Sequence, residues 1–189
     1  MPQAGQRKNE KGDQSRRRIL DAAARLFCEQ GYAPVSLRAI ARAAGLKPGS
    51  LYYHFEAKEE IIAEVLDLGI TMVQDAVRRA TAACGAAAGA ETLLRAGIRA
   101  HLEALLQFSD YTSANVRIYS QVPEDVRQRN LAVRREYETL WDSLLAEAAA
   151  RGGVRADVDR KAFRLMLIGS LNATLEWFDP ARGSVEGLA

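Results

Sequence analysis

Residues 47–55, with the sequence KPGSLYYHF, combine a helix-start signal with several side chains that form hydrogen bonds. Pro48 is favourable at the first position of a helix, and Gly49 adds no side chain that would keep a partner away from that helix start. The free N–H groups and the positive dipole end of such a start attract acceptor oxygens. Lys47 adds a positive charge beside them, and Ser50 can donate or accept a hydrogen bond. This chemistry suits a polyanion, through contacts to phosphate oxygens and base edges.

The spacing of the next residues separates a buried face from an exposed one. Leu51 and Phe55 are apolar and lie four positions apart, which places both against a small core. Tyr52 is one position off that face and is expected to be half buried. Tyr53 and His54 are expected to point outward, where phenol and imidazole can donate to phosphate oxygens. Taken alone, an exposed tyrosine–histidine pair is ordinary surface more often than a DNA contact, so the surrounding elements decide the interpretation.

Two short helices are predicted to position this segment. Ser36 is a good N-cap for the first, which ends at Gly45, and Pro48 opens the second. Two such helices with a tight glycine turn between them predict a helix-turn-helix over residues 36–55, whose second helix enters the DNA major groove. A longer helix, over residues 15–30, is predicted to support them.

The distribution of charge agrees with a polyanion near the amino-terminal end. Residues 1–60 contain 11 lysines and arginines against 7 acidic residues, and the remainder contains 15 against 17. Charge asymmetry alone is a weak signal, and a single basic side chain is usually just solvated. The residues expected to contact DNA lie on or beside the predicted helix-turn-helix and the helices that flank it: Arg16, Arg17, Ser36, Leu37, Arg38, Lys47, Pro48, Gly49, Ser50, Tyr52, Tyr53, His54 and Lys58.

The composition of the whole chain predicts helices. Alanine, leucine, arginine and glutamate dominate, and no alternating apolar–polar run longer than a few residues occurs. We therefore predict an all-α fold, with a three-helix helix-turn-helix domain over residues 13–73 joined by a long helix to a larger helical domain over residues 74–189. The long helix begins after Glu56, and residues 1–14 are predicted to be a mobile arm. Later helices are predicted at about 91–107, 110–120, 124–150 and 159–178, and the residues that follow are too few to predict another.

The inventory of reactive residues argues against an enzyme. The chain has two histidines and two cysteines, all well separated along the sequence. No HExxH pair, phosphate-cradling glycine loop or metal-ligand spacing occurs, so we expect no metal and no cofactor. No apolar segment is long enough to span a membrane, and the amino terminus lacks the apolar core of a signal peptide. We expect a cytoplasmic, nucleoid-associated protein that is not an enzyme, with a helical binding module that ignores DNA as the alternative.

Three stretches of the amino-terminal third form a specific motif set: ILDAAARLFCEQGY, IARAAG, and LYYHF with Lys58 and Ile61 after it. Through them, residues 15–65 resemble the amino-terminal domain of the TetR family of bacterial transcriptional regulators. That family often has a small hydroxyl residue and then a lysine where this chain has Lys47 and Pro48, which shifts the expected phosphate contact to Lys47. The resemblance implies a ligand-responsive repressor, or else an activator, that binds a palindromic double-stranded operator as a homodimer and releases it when a small molecule binds.

The resemblance also implies that residues 74–189 form the ligand-binding and dimerisation domain. Small and apolar residues recur at spacings of three and four on the last long helix, and such a face lets another helix approach closely. The expected dimer-interface residues are Met166, Gly169, Ser170, Ala173, Thr174 and Trp177. The alternative is that this helix is buried within one chain. A dimer places two recognition helices about 34–36 Å apart, so that they contact two half-sites.

Several polar residues lie among apolar ones in the later helices and are candidates for a ligand pocket. They are Arg99, His101, Asn115, Arg117, Tyr119, Asn172, Glu176 and Trp177. For any single one of them, surface charge or an interhelical hydrogen bond is the commoner role. The segment SLNATLEWFDP resembles the end of TetR-like regulators that sense acyl-CoA thioesters, and for such a ligand Arg95, Arg99 and Arg117 are candidates to bind the phosphates.

Overall fold

The computed structural model describes residues 4–108 and 110–189, and over these ranges it contains helices and no strand. The all-α prediction is therefore confirmed. Nine α-helices follow one another in the described residues: α1 (Ala4–Gln30), α2 (Leu37–Ala43), α3 (Pro48–Tyr52), α4 (Lys58–Ala83), α5 (Ala90–Glu103), α6 (Asp110–Ile118), α7 (Glu124–Ala150), α8 (Arg160–Trp177) and α9 (Val185–Leu188). A π-helical turn at Ala104–Phe108 continues α5, and a 3₁₀ turn at Tyr119–Gln121 follows α6. None of the described helices is both long and apolar enough to cross a membrane.

Short local signals start and stop the first three helices. The Ser36 hydroxyl accepts a hydrogen bond from the backbone N–H of Ala39 at 3.2 Å and so caps α2. Gly31 and Gly45 follow α1 and α2 with φ of 81° and 64°, a region that other L-residues rarely adopt. Pro48 begins α3. These signals produce the predicted helix-turn-helix from α2 and α3.

The core beneath the helix-turn-helix is formed by large apolar side chains. Leu51 and Phe55 are buried, as their spacing predicts, against Ile19, Phe27 and Ile40. Burying each such side chain stabilises the fold by about 1.5–3 kcal/mol. The apolar face of α3 is thus fixed to α1 and α2, which leaves the polar face of α3 outward.

Helix α1 is longer than predicted. It begins at Ala4, so the prediction of a mobile arm over residues 1–14 is wrong for residues 4–14, and residues 1–3 lie outside the described ranges. Ser15, where the predicted helix begins, lies inside α1. Most residues of this stretch are glutamine, lysine, arginine or glutamate, which are good helix formers. Polarity alone was therefore no argument for an irregular arm.

Other helix ends differ by a few residues. Helix α3 stops at Tyr52 because the backbone N–H groups of His54 and Phe55 both donate to the Leu51 carbonyl and close the helix with a tight turn. Helix α4 accordingly begins at Lys58. The carboxy-terminal segment contains the short helix α9, capped by the Ser184 hydroxyl, which the sequence did not allow us to predict.

Helix α4 belongs to two hydrophobic cores in turn. Its first turns, up to Leu66, pack into the α1–α3 core, which also includes Ile118 of α6 and Val126 of α7. From Ile70 onward, α4 packs into a second core with α5, α7 and α8, centred on Trp141. The predicted domain boundary between residues 73 and 74 stays a prediction, since α4 passes through it without interruption.

Gly69 lies between these two cores and marks a close approach of α4 to α6. A Cβ built at this glycine would overlap the backbone oxygen of Tyr111 and the side-chain amide of Asn115. No other residue type fits here without displacing the α6 backbone. The separation of α4 and α6 is therefore determined by the absence of a side chain.

Candidate DNA interface and effector cavity

The start of α3 is open to solvent. Lys47, Pro48, Gly49 and Ser50 are all exposed, and Leu51 is the one buried residue of this helix. A Cβ built at Gly49 meets no atom within 4 Å, so the space beside the helix start is free for a partner. Pro48 has no N–H and the Ser50 N–H already donates to the Lys47 carbonyl at 2.9 Å, so it is the exposed side chains and the open space beside Gly49 that make this a surface able to receive phosphate or base oxygens.

The two tyrosines after Leu51 also face outward. Tyr53 is 82% exposed and Tyr52 is 53% exposed. His54 is partly buried, and its ring meets that of Tyr53 edge-on with centroids 5.3 Å apart. Phenol and imidazole are thus held side by side on the surface that also contains the helix start.

Three further predicted DNA contacts lie around α2. Ser36 and Arg38 are exposed, although the Ser36 hydroxyl is already used as the cap of α2. Leu37 is partly buried and packs against the α1–α3 core. On α1, Arg17 is exposed. Arg17 and Arg38 therefore have side chains that are accessible to a phosphate backbone.

One predicted DNA contact, Lys58, has a structural role within the chain. The Lys58 ammonium donates a hydrogen bond to the Tyr32 carbonyl at 3.0 Å and lies 3.9 Å from the centroid of the Tyr32 ring. The Tyr32 hydroxyl in turn donates to the Glu59 carboxylate at 2.6 Å, and this hydrogen bond lowers the pKa of Glu59. Lys58 therefore holds the α1–α2 connection against the start of α4.

Arginines of α1 brace the same region. Arg16 forms an ion pair with Glu64 and stacks 4.5 Å from the centroid of the Phe55 ring. Arg18 donates to the carbonyls of Ala44 and Gly45, in the turn between α2 and α3. The sequence grouped Arg16 with Arg17 as a DNA contact, but the structure uses Arg16, together with Arg18, to hold the helix-turn-helix.

A cavity of about 360 Å³ lies between α4, α5, α6, α7 and α8. Four of the predicted ligand residues line it: His101, Asn115, Tyr119 and Asn172. Its apolar wall includes Ile70, Val73, Leu105, Val116 and Ile168. A volume of this order is within the range of ligand pockets, about 300–1,000 Å³.

His101 is buried in the cavity wall and is neutral. Its Nδ1 lies 2.5 Å from the Tyr137 hydroxyl and its Nε2 lies 3.2 Å from the Asn172 side-chain oxygen. Because an amide oxygen only accepts, Nε2 is the donor, and the Tyr137 hydroxyl donates to Nδ1. Burial lowers the pKa of His101 to about 4, despite the hydrogen bond to Asn172, which favours the charged form.

Arg134 of α7 is a cavity residue that the sequence did not single out. Its guanidinium stacks on the Tyr119 ring, with Cζ 3.5 Å from the ring centroid. Its Nε donates to the Asn130 side-chain oxygen and its Nη2 to the Asn115 side-chain oxygen, both at 2.8 Å. Burial lowers the pKa of Arg134, which nevertheless remains charged at neutral pH.

Arg164 of α8 is a second unpredicted basic residue in the cavity wall, and it is buried. Its guanidinium lies 3.3 Å from the Glu138 carboxylate and 2.8 Å from that of Asp142, both on α7. The ion pairs join α8 to α7 and compensate the charge of Arg164.

Four predicted ligand residues lie outside the cavity, and their role in ligand binding stays a prediction. Arg99 is exposed on the outer face of α5, where it pairs with Glu103 at 2.8 Å and with Glu186 of α9 at 2.7 Å. Arg117, Glu176 and Trp177 are also exposed and do not line the cavity. Arg95, a further candidate for phosphate binding, is exposed and pairs with Glu91. Mixed polar and apolar composition did not distinguish the inner from the outer helix faces.

The face of α8 that points away from the cores carries most of the predicted dimer residues. Met166 and Trp177 are 72% and 61% exposed, and Gly169, Ser170 and Ala173 are exposed between them. Leu165 and Phe163 add to this apolar surface. Thr174 is a correction: it is buried within the chain, and its hydroxyl donates to the Leu171 carbonyl at 2.6 Å.

The helix-turn-helix is exposed on the α1–α3 core, and the cavity lies beside the second core, around Trp141. These two features define a helix-turn-helix protein with a separate helical part that forms a cavity. Family models match both parts: "Bacterial regulatory proteins, tetR family" at residues 19–65 and "Tetracyclin repressor-like, C-terminal domain" at residues 88–186. The chain belongs to the TetR family of bacterial regulatory proteins. The resemblance predicted from the sequence is thus confirmed, and a protein of this family is a regulator and not an enzyme.

Individual relatives agree with this assignment. The chain is 31% identical over 179 residues to the HTH-type transcriptional repressor KstR2 of Rhodococcus jostii strain RHA1, which covers 90% of this chain and 82% of the relative. It is 27% identical over 169 residues to the fatty acid metabolism regulator protein of Bacillus subtilis strain 168, covering 83% and 79%. Its fold is similar to the crystal structure of AibR in complex with isovaleryl coenzyme A and operator DNA, with a TM-score of 0.79, 22% identity and 92% of both chains covered.

Proposed function

We propose that this protein is a transcriptional repressor that binds a palindromic operator as a homodimer and is released by a small molecule. The observation that carries the proposal is the open start of α3, with Lys47, Gly49, Ser50 and Tyr53 exposed on a buried support. Family membership supports the same function. Helix α3 enters the major groove, and Arg17 and Arg38 bind the flanking phosphates.

The proposed dimer forms through the exposed face of α8. This face combines large apolar side chains, such as Met166 and Trp177, with the small residues Gly169 and Ala173 between them. Small residues let a second helix approach closely, and burying the large ones supplies the driving force. Two copies then present two α3 helices to successive turns of the duplex.

The proposed effector is an acyl-CoA thioester, bound in the cavity beside α4. Two comparisons support this class: a relative named as a fatty acid metabolism regulator, and a solved neighbour whose structure contains isovaleryl coenzyme A. The apolar wall suits an acyl chain, and the few polar groups around it suit the thioester end. As a DNA-binding regulator, the protein acts on the chromosome, in the cytoplasm.

Regulation is proposed to be a population shift. The effector binds better to an arrangement in which the two α3 helices are wrongly spaced for the operator, and α4 connects the two sites. Effector and operator must then weaken one another's affinity by the same factor.

The test begins with selection of genomic fragments by the purified protein, followed by fluorescence anisotropy with the recovered duplex. We expect a palindromic site and an affinity that falls steeply as salt increases, because basic residues displace counterions from the phosphates. Added acyl-CoAs should release the duplex. A protein that binds no double-stranded fragment at low salt, or binds with no salt dependence, would exclude the proposed function.

A further inference from the structure

Tyr137, His101 and Asn172 form a chain of hydrogen bonds along the cavity wall. The Tyr137 hydroxyl lies 2.5 Å from Nδ1 of His101, and Nε2 of His101 lies 3.2 Å from the side-chain oxygen of Asn172. All three residues line the cavity, but Tyr137 and His101 are buried and Asn172 is partly exposed. The chain therefore has a buried end at Tyr137 and an accessible end at Asn172.

The direction of this chain is set at its buried end. Burial lowers the pKa of His101 to about 4, so at neutral pH one ring nitrogen carries a proton and the other accepts. In the described part of the protein, Nδ1 of His101 is the only acceptor within reach of the Tyr137 hydroxyl. If Nδ1 carried the proton instead, the buried hydroxyl hydrogen would have no acceptor, which is costly. The Tyr137 hydroxyl therefore donates to Nδ1, and the proton of His101 lies on Nε2.

The same direction fixes the amide of Asn172. A buried, protonated Nε2 needs an acceptor, so the oxygen of Asn172 faces His101 and the amide nitrogen Nδ2 faces away from it. Among the described residues Nδ2 has no hydrogen-bond partner, and this nitrogen is accessible, not buried. Asn172 thus offers the cavity an N–H donor whose orientation two buried side chains hold.

The surroundings of this donor favour an uncharged acceptor. Two arginines and two carboxylates interact at the cavity, so their charges cancel and no net charge attracts an anion: Arg134, Arg164, Glu138 and Asp142. Much of the remaining wall is apolar. A carbonyl oxygen attached to an apolar chain is complementary to a single fixed N–H donor in such a wall.

We propose that Asn172 donates a hydrogen bond to the carbonyl oxygen of an acyl effector, and that His101 and Tyr137 are positioning residues for this donor. The proposal rests on the function proposed above, in which this cavity is the effector site. The carbonyl of an acyl thioester, next to its apolar chain, is an acceptor of this kind. An alkyl thioether has the same chain and sulfur but lacks the oxygen, so the site distinguishes the two.

The first experiment compares two ligands that differ by one carbonyl oxygen. Isothermal titration calorimetry would measure binding of decanoyl-CoA and of S-decyl-CoA, its thioether analogue, to the wild-type protein. We expect decanoyl-CoA to bind about 3- to 10-fold more tightly, because it gains one hydrogen bond between neutral groups. Equal binding, tighter binding of the thioether, or no binding of either ligand would overturn the proposal.

Substitutions at Asn172 locate this preference. Asn172→Leu has a similar size and no donor, so the two ligands should bind within about twofold of each other. Asn172→Asp keeps an oxygen for His101 and replaces the N–H donor by a second oxygen, so it should also lose the preference. Lys161→Leu is the control, since Lys161 is exposed on the same helix and does not line the cavity. The control should keep the wild-type ratio, and a preference that survives both Asn172 substitutions would refute the role of this residue.

Tyr137→Phe tests the positioning role. Without the hydroxyl, nothing fixes which nitrogen of His101 carries the proton, and the Asn172 amide can turn its oxygen toward the ligand. The ratio of the two affinities should fall by at least about half, while S-decyl-CoA binds within about twofold of its wild-type affinity. A residue with only a structural role would instead change the affinity for both ligands equally.

The protonated ring nitrogen can be observed directly. The chain has two histidines, so ¹⁵N NMR of histidine-labelled His54→Gln protein reports on His101 alone. We expect the proton on Nε2 in this protein. A proton on Nδ1 would reverse the chain of hydrogen bonds and overturn the proposal.

Operator binding separates this inference from the proposed function. Binding of the ligand-free protein to its operator is measured in the same preparation. If operator binding is normal while the ligand preference is missing, only the role of Asn172 fails. If the protein binds no operator, the proposed function fails.

Discussion

Tyr53 and His54 at the end of α3 and Tyr137 and His101 beside the cavity are two pairs of the same side chains in opposite surroundings. The first pair meets edge-on at the surface, with the Tyr53 ring almost fully exposed. The second pair is nearly parallel, with centroids 6.1 Å apart and a 2.5 Å hydrogen bond between hydroxyl and imidazole. The Tyr53 hydroxyl is accessible from solvent, whereas the buried pair uses its polar atoms for a hydrogen bond in the interior.

The same residue types therefore indicate different functions depending on what lies beneath them. Under the exposed pair, the apolar side of α3 is held by Leu51 and Phe55. Around the buried pair, desolvation keeps the imidazole neutral. The comparison predicts that substitutions at the two pairs affect different properties, DNA affinity in one case and stability in the other.

The largest effect is expected from removing the support of the exposed pair. Leu51→Ala should reduce the free energy of unfolding by about 2–5 kcal/mol, because a fully buried leucine is replaced by a cavity. Urea unfolding monitored by circular dichroism would measure it. Tyr53→Ala is the control, since it should leave the unfolding midpoint almost unchanged and weaken operator binding by about tenfold. A Tyr53→Ala protein that binds operator normally would remove this residue from the interface.

The second effect is a dependence of stability on pH that comes from His101. When the protein unfolds, the imidazole returns to its ordinary pKa of 6.5, whereas in the folded state the pKa is about 4. As pH falls from about 6.5 to about 4, the unfolded state takes up a proton that the folded state does not, so stability falls by about 3 kcal/mol over this interval. Unfolding curves across this pH range would measure the slope.

Substitution of each histidine in turn assigns that slope. His101→Gln should lack the contribution, whereas His54→Gln, which removes the surface histidine, should keep it. An unchanged slope in the His101→Gln protein would mean that this imidazole is not held neutral in the folded state.

The smallest effect is expected from removing single hydroxyl groups. Tyr137→Phe leaves the Nδ1 of His101 without its donor, at a cost of about 1–3 kcal/mol in stability. Tyr53→Phe should leave stability unchanged because that hydroxyl is exposed. Thermal unfolding of the two proteins under identical conditions would test the contrast. Equal melting temperatures would show that the buried hydrogen bond contributes little.

The region around α3 was predictable from the sequence because its signals are local. Ser36, Gly45 and Pro48 each determine a helix end by their own backbone or side-chain properties. The four-residue spacing of Leu51 and Phe55 then selects the buried face. Even there, Arg16 and Lys58 could not be recognised as structural, because their partners are distant in sequence.

The cavity depends on contacts between distant helices, which single-sequence patterns do not contain. Arg134 is one of several arginines along α7, and its spacing does not distinguish it from the exposed Arg135 beside it. Thr174 illustrates a finer limit. It follows Ala173 by one position, about 100° around the helix, and this step turns it from the outer face of α8 to the interior. Helical periodicity identified the exposed face of α8 but did not show that Thr174, at the margin of that face, is buried.

The position of Gly69 in α4, between the α1–α3 core and the core around Trp141, has a consequence for how these two parts of the molecule are oriented. Before Gly69, α4 packs into the α1–α3 core, and after it α4 packs into the core around Trp141. The helix is not interrupted between the two cores, so no irregular segment is present there that could absorb an insertion or a deletion. Losing or gaining a single residue there would swing one half by about 100° relative to the other and shift it by about 1.5 Å along the axis. Helix α4 thus fixes the rotation of the α1–α3 core relative to the core around Trp141. The length of α4 can change without altering this rotation only in steps close to a whole helical turn.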